Sequence, residues 1–283
     1  MDRRRLEERV MKGLMILSTL LVVGSSVCIL LTIFLKGVSA IDLNMLIQTP
    51  KGGYYLGKEG GILNAILGSL VLGVGATFLA FLVSVPITFY LNLYLRRASR
   101  FSYILRFLFD VLYGMPAIVY GAFGFTLMVF WGLKASLLAG MITIAFLIIP
   151  IMARATDEVL KMIPFELPEA SLAMGTTRWE TARGVIFKQA LPGILTAVLL
   201  AFGRAIGDGA AVLLTAGFTD SNPSSLFKPV ATLPLAIFFQ LATPFPEVQR
   251  RGYAAAFILT VLILMVSLIS RILSWKFTQN VVR

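Results

Sequence analysis

Between Leu14 and Leu35 the chain runs for 22 residues without a charge. A helix of about 20 apolar residues spans the hydrocarbon core of a bilayer, and few other structures bury such a run. The pattern recurs along the chain. Apolar segments at 14–35, 62–95, 111–131, 135–152, 191–217 and 253–274 predict an all-α integral membrane protein with six transmembrane helices in one continuous domain over 1–283. Composition agrees. Of 283 residues, 58% are hydrophobic and only 14% charged, against about a quarter charged in soluble proteins. The basic start (Arg3, Arg4, Arg5, Arg9, Lys12), the apolar run and Val38-Ser39-Ala40 outline a cleaved signal peptide. A signal core is only about 7–15 residues long, so the run reads as the first transmembrane helix.

Three longer polar stretches separate the spans. Residues 36–61 are rich in glycine (Gly52, Gly53, Gly57, Gly60, Gly61) and 218–252 in proline (Pro223, Pro229, Pro234, Pro244, Pro246). Within the second, Leu233 to Leu241 is apolar but too short to cross, which predicts an interfacial or re-entrant piece. The third stretch is 154–190. Six crossings place both termini and 154–190 on one side. That side, counting Arg271 at the end of the last span, carries 17 of the 25 Lys and Arg, the opposite side 7, and Arg204 lies inside the fifth predicted span. The bias predicts cytoplasmic termini and a cytoplasmic 154–190 loop, with 36–61 and 218–252 extracytoplasmic. It also accounts for the net charge of +11, together with anionic membrane lipid, so nucleic acid is not an expected partner.

Within the spans, Gly68, Gly73 and Gly75 form a small-residue face for close helix packing, and Pro86 predicts a kink. The segment 111–131 holds Gly114, Gly121 and Gly124, with Pro116 near its start. The chain has no histidine and one cysteine, Cys28. It therefore lacks an internal disulfide and the usual transition-metal ligand sets. Gly57-Lys58 is followed by Glu59, so there is no phosphate-binding loop, and no nucleophile elbow or metalloprotease helix occurs. No enzyme and no cofactor bound by this chain is expected.

The 154–190 loop has readable punctuation. Pro168 suits a helix first turn, and Glu169 beside it sits where a negative charge is favoured. Ala170, Ser171 and Ala173 continue a short helix, and Gly175 ends it in a left-handed cap. Thr177-Arg178-Trp179-Glu180 is a capping-box pattern that opens a second helix. Two short helices with an apolar knuckle between them are either a plain linker or a docking element. By shape alone the two readings stand level.

Arg204 and Asp208 fall within the fifth span, four residues apart and on one helix face. Gly203, Gly207 and Gly209 around them permit a local break. Charges at this depth are costly and point to function. Either the pair neutralises itself and locks packing, or Arg204 offers its planar fork to an oxyanion while Asp208 holds it. Arg154, at the end of the fourth span, reads from the residues as an ordinary positive-side anchor.

The Glu169-Ala170-Ser171 triad, three residues, then Gly175 resembles the EAA loop of ABC-importer permeases. The order of further segments extends the resemblance over nearly the whole chain. These are Gly61-Ile62-Leu63-Asn64-Ala65-Ile66, Pro116-Ala117-Ile118-Val119-Tyr120-Gly121, Ser136-Leu137-Leu138-Ala139-Gly140, Arg154-Ala155-Thr156-Asp157-Glu158, Arg204-Ala205-Ile206-Gly207-Asp208 and Thr232-Leu233-Pro234. Together they look like the PstA-type permeases of bacterial phosphate-specific importers. The chain departs from the pattern at Pro168, at Ser171, at Val185-Ile186-Phe187-Lys188, and at Asp208-Gly209, where the family has Glu-Thr.

The resemblance implies a type I importer (MetI-like) permease fold in the bacterial or archaeal cytoplasmic (inner) membrane. It implies a substrate path through Arg204, Asp208, Arg154 and Gly207, and ATPase coupling through Glu169, Ala170, Ser171, Gly175, Thr177 and Trp179. It implies four kinds of partner: a second homologous permease (PstC-like), two ATPase subunits (PstB-like) that hold ATP and Mg, an extracytoplasmic phosphate-binding protein (PstS-like), and membrane lipid. A permease for another oxyanion, or a stand-alone channel or secondary transporter, are the competing expectations.

Overall fold

The computed structural model describes residues 3–51, 59–95 and 99–278. Gly52, Gly53, Gly57 and Lys58 of the first predicted loop, and Arg96 and Arg97 of the next, lie outside the described residues. Among the described residues, five helices are long and apolar enough to cross a membrane, or six if one bent helix pair counts as a span.

The first span, α1 (Arg3–Val38), is exposed along almost its whole length. After it, a short helix α2 (Leu43–Ile47) and a two-residue antiparallel ladder, β1 (Pro50–Lys51) with β2 (Glu59–Gly60), order the turn into the next span. That span, α3 (Leu63–Phe89), is the central helix, and its glycines explain why. A side chain at Gly68 would strike the Ala231 carbonyl, one at Gly73 would strike Ile206, and one at Gly75 would strike Met141. Pro86 lies in its interior, and the helix closes with a wider π-helical turn at Tyr90–Tyr94.

The predicted span 111–131 is in fact two helices. An amphipathic α4 (Arg100–Tyr113) meets α5 (Ala117–Phe130) at 101°. Pro116 is the cause: its ring cannot continue a helix, and it drives Met115 out of the helical region. With 14 residues, α5 rises only about 21 Å, shorter than the hydrocarbon core. The next helix, α6 (Leu137–Lys161), is longer than its predicted span of 135–152 and absorbs Arg154 and the start of the predicted loop. Two short helices follow, α7 (Glu166–Ala173) and α8 (Arg178–Thr181). A π-helical turn at Ala182–Ile186 leads into α9 (Phe187–Gly207). The predicted span 191–217 is therefore cut short at Gly207, and residues beyond it form tight turns up to Gly217. The nine-residue α10 (Leu233–Leu241) is buried at its start and returns before crossing, as its length required. The last helix, α11 (Pro246–Thr278), packs on α1, α9 and α10 and begins seven residues before its predicted start.

The core is stacked in layers along the bundle. One end is built on Ala40, Ile62, Leu233 and Ala254, the middle on Leu72, Ile144, Ile148 and Ala201, and the other end on Leu160, Ile186 and Ile194. Outside these layers the large apolar side chains of α1, α4, α5 and α11 are exposed, as in a protein whose solvent is lipid.

Candidate functional site: a broken central helix and an end knuckle

At the middle of the bundle α9 stops at Gly207. Asp208 adopts an extended conformation (φ −89°, ψ 109°). Its carboxylate explains the break locally. One oxygen, Oδ1, accepts from the backbone N–H of Ala211 at 2.9 Å, and Oδ2 accepts from Arg204 Nη2 at 2.9 Å. An acid that takes a nearby backbone N–H offers the chain an alternative to the helix ladder. The glycines do the rest: Gly209 backs onto Pro234 of α10, and Gly121 of α5 lies against the carbonyls of Ala210 and Ala211. Gly207 itself sits beside Ile263 of α11.

The two charges are unequal in environment. The Asp208 side chain is 3% exposed, the Arg204 side chain 51%. Arg204 points away from the chain's own core, on the same exposed side of α9 as Leu200. A buried carboxylate thus holds a guanidinium at the protein's rim with further donors uncommitted to it. This arrangement suits bidentate recognition of an oxyanion.

Arg154 is placed elsewhere. Its Nε is 2.9 Å from Asp110 of α4, and Nη1 is 3.9 Å from Glu158. On α6 the residue level with Ile206 is Met141, since both pack on neighbouring glycines of α3. Arg154 lies 13 residues further on, about 20 Å along the axis. The structure joins Arg204 to Asp208 and Gly207 and leaves Arg154 at the end of the bundle.

Next to Arg154 lies a cluster that the sequence did not disclose. Asp157, 2% exposed, accepts from Arg106 Nε at 2.9 Å and Nη2 at 3.0 Å, from Lys161 Nζ at 2.7 Å and from Asn92 Nδ2 at 2.8 Å. Arg106 also donates to Ser102. Asp157 therefore ties α4 and the end of α3 to α6. The sequence signal was there in part: Arg106 and Asp110 are one turn apart on α4, and Arg154 and Asp157 are neighbours on α6.

The knuckle sits at this same end. Glu166 and Glu169 occupy the first turn of α7, which Pro168 also enters. Gly175 has φ +85°, the left-handed region in which a β-carbon is strained, although nothing lies within 4 Å of where that carbon would be. The Thr177–Glu180 capping box is present: Thr177 Oγ1 accepts from the Glu180 N–H at 3.2 Å, and Glu180 accepts from the Thr177 N–H at 2.7 Å. Met174 and Trp179 are widely exposed around the turn, 84% and 65%. Ala170 lies exposed on α7 between them and Glu169.

Ser171, a departure from the family triad, has a role in the structure. Its Oγ lies 2.9 Å from Thr176 Oγ1 and 3.0 Å from Thr181 Oγ1, and those two are 3.0 Å apart. Thr176 also donates to the Ser171 carbonyl at 2.7 Å. This triangle of hydroxyls sets the angle between α7 and α8. Thr176 and Thr181 were not singled out from sequence, because no spacing rule marks a hydroxyl triangle. Behind the knuckle a cleft of about 470 Å³ separates α7 and α8 from the end of α3, and Arg178 bridges it to the Tyr94 carbonyl at 3.5 Å.

Helices of spanning length, a broken helix with a charged pair at mid-bundle and an exposed knuckle at one end define a transport-type membrane subunit. Residues 84–279 match the family described as binding-protein-dependent transport system inner membrane component, and the chain belongs to that family. Curated relatives carry the name phosphate transport system permease protein PstA. The one from Haemophilus influenzae is 33% identical over 274 residues, 95% of this chain and 94% of its own length. The one from Xylella fastidiosa (strain Temecula1) is 34% identical over 247 residues, 86% of this chain and 83% of its own. Among solved structures, the inward-facing MetNI methionine ABC transporter matches with a TM-score of 0.63 at 19% identity, covering 76% of this chain and 95% of that one. That likeness establishes the fold, a type I importer permease.

Proposed function

We propose that the chain is the membrane-spanning subunit of an ATP-driven importer of inorganic phosphate and lines half of its path. The observation that carries the reading is the Arg204–Asp208 pair at a helix break, in a chain one third identical over its length to phosphate permeases. Arg204 faces outward from its own subunit, so a second permease must complete the path around it. Asp208 keeps the guanidinium in place between substrates, and Gly207 allows the close approach. Arg154 serves as an end anchor of α6 and reaches substrate only as it leaves toward the knuckle.

In this reading both termini and the knuckle are cytoplasmic, as the Lys and Arg bias predicts. The knuckle, with Glu169, Ala170, Ser171, Gly175, Thr177 and Trp179, enters a groove on one of two ATPase subunits, which hold ATP and Mg. An extracytoplasmic binding protein delivers phosphate at the opposite face.

The test is ATP-dependent phosphate uptake by vesicles that hold the full transporter, with and without Gly175→Asp and Arg204→Ala. Uptake that needs ATP and is lost in both variants, at normal membrane insertion, supports the reading. Uptake without ATPase or binding protein, or indifference to Gly175→Asp, would make the chain a channel or secondary transporter. Normal uptake by Arg204→Ala would remove Arg204 from the path. Sulfate or molybdate moved in place of phosphate would identify a different oxyanion.

A further inference from the structure

Where α1 ends and α11 begins, the helices diverge and leave a cleft of about 330 Å³ lined by Lys36, Ser39, Pro246, Gln249, Arg250 and Tyr253. It lies at the end of the bundle opposite the knuckle, beside the layer of Ala40 and Ala254. Its chemistry is one-sided. Lys36 reaches Tyr253 at 3.4 Å from the phenol oxygen and 4.7 Å from the ring centre. Arg250 donates one N–H to the Ser39 carbonyl at 2.7 Å. Both are held by neutral groups, which orient them without spending their charge. No acid is in the lining; Glu247, one turn before Arg250, bears on Arg251 and lies outside it. The first turn of α11 adds its own positive end.

On the sidedness read above from the Lys and Arg bias, on which this inference rests, these two cations lie at the outer ends of their spans, against that bias. A cost against that bias calls for a partner. The surroundings name it. Below the cleft, Leu30, Leu31, Phe34 and Leu35 of α1 are apolar and exposed, and Tyr253 is a side chain suited to the headgroup level. An anion here would have its charge on Lys36 and Arg250 and its apolar body along α1.

We propose that this cleft binds the phosphate group of an anionic phospholipid in the outer leaflet and thereby holds α1 against α11. Close packing at that seam supports the second part: Gly37 lies directly on the Tyr253 carbonyl and Phe257, and Phe34 meets Phe257 edge to face at 5.7 Å. The inference is independent of the substrate path, since α1 and the first turn of α11 do not contribute to the Arg204 site.

The experiment is native mass spectrometry of the purified transporter with phosphatidylglycerol or phosphatidylcholine of matched chains, for the native protein and for Lys36→Gln/Arg250→Gln. Each basic residue near an anionic surface favours binding by roughly fivefold, so the double variant is expected to lose phosphatidylglycerol retention by on the order of tenfold or more. Phosphatidylcholine retention should not change. Equal retention of both lipids by the native protein, or full retention by the variant, overturns the proposal. Displacement of the lipid by inorganic phosphate would make this a free-anion site and also overturn it. So would a variant that keeps its lipid but loses the extracytoplasmic binding protein in a pull-down, which would assign the cations to an acidic protein surface.

Discussion

Asp157→Leu separates two ideas about how α4 is held. Two crossed bridges join α4 to α6, Arg106 to Asp157 and Asp110 to Arg154. They look alike in a contact map and differ in burial. Arg154 and Asp110 are 35% and 51% exposed, so their pair is worth under about 1 kcal/mol. Arg106 and Asp157 are 17% and 2% exposed, and the carboxylate takes four donated bonds. Removing one side of a buried pair costs about 3–5 kcal/mol, because the surviving charge stays behind without its partner. Lys161, 34% exposed, can turn to water and escapes most of that cost. Arg106, held also by Ser102 and the Asn92 side-chain oxygen, cannot, and the Asn92 amide nitrogen keeps only its bond to the Thr88 carbonyl.

The expected loss for Asp157→Leu is therefore about 3–4 kcal/mol, carried mainly by Arg106. Asp110→Leu should lose under about 1 kcal/mol. The double variant Arg106→Met/Asp157→Leu removes both charges and should recover most of the loss, since an apolar pair of similar size is often neutral or better. The assay is denaturant unfolding of the purified protein in one lipid–detergent mixture, with Arg106→Met added so that the two single variants and the double close a double-mutant cycle, and Asp110→Leu as the exposed-pair comparison. An Asp157→Leu variant that costs no more than Asp110→Leu, or a double variant no better than Asp157→Leu, would refute the reasoning.

Three further outcomes follow from other parts of the structure. Thr181→Val removes one vertex of the hydroxyl triangle while keeping the shape, and leaves Ser171 and Thr176 still bonded to each other; a stability loss of about 1–2 kcal/mol is expected, with reconstituted uptake falling more than ATP hydrolysis does, and an equal fall in both would mean the triangle only supports folding. At Gly121, valine would push a β-carbon to 2.9 Å from the Ala211 carbonyl, so Gly121→Val should displace the broken segment and abolish uptake at normal insertion, whereas Gly24→Val, in the exposed helix α1 with nothing within 4 Å, should leave uptake intact. Finally, Gly175→Ala meets only the conformational penalty at φ +85°, about 1 kcal/mol, so uptake should fall mildly and much less than in Gly175→Asp.

Much of this architecture can be read in the chain. The run from Leu14 to Leu35, the too-short Leu233 to Leu241 and the capping box at Thr177 each follow from local chemistry, and each has its counterpart in the structure. The misplacements came from boundaries that hydropathy cannot see. Residues 111–131 are apolar across Pro116, so composition read one span where the backbone makes a right-angled pair. Residues 208–217 are apolar as well, but the Asp208 carboxylate takes the Ala211 N–H and the helix ends. At the other extreme, Arg154 to Lys161 are polar and were read as loop, though they continue α6 because their charges are satisfied against α4.

Local patterns thus determined the spans, the sidedness bias, the caps and the presence of a mid-membrane charge pair, since each depends on residues within a few turns of one another. What only the tertiary structure decided is which distant groups meet. Asp157 finds Arg106 at a separation of 51 residues, and Lys36 finds Tyr253 at 217. Arg154 and Arg204, which the sequence placed together in one path, stand about 20 Å apart in level along the bundle. Pairing of this kind is fixed by the packing of glycine faces on α3 and by the angle at Pro116, and neither is encoded in the residues that end up touching.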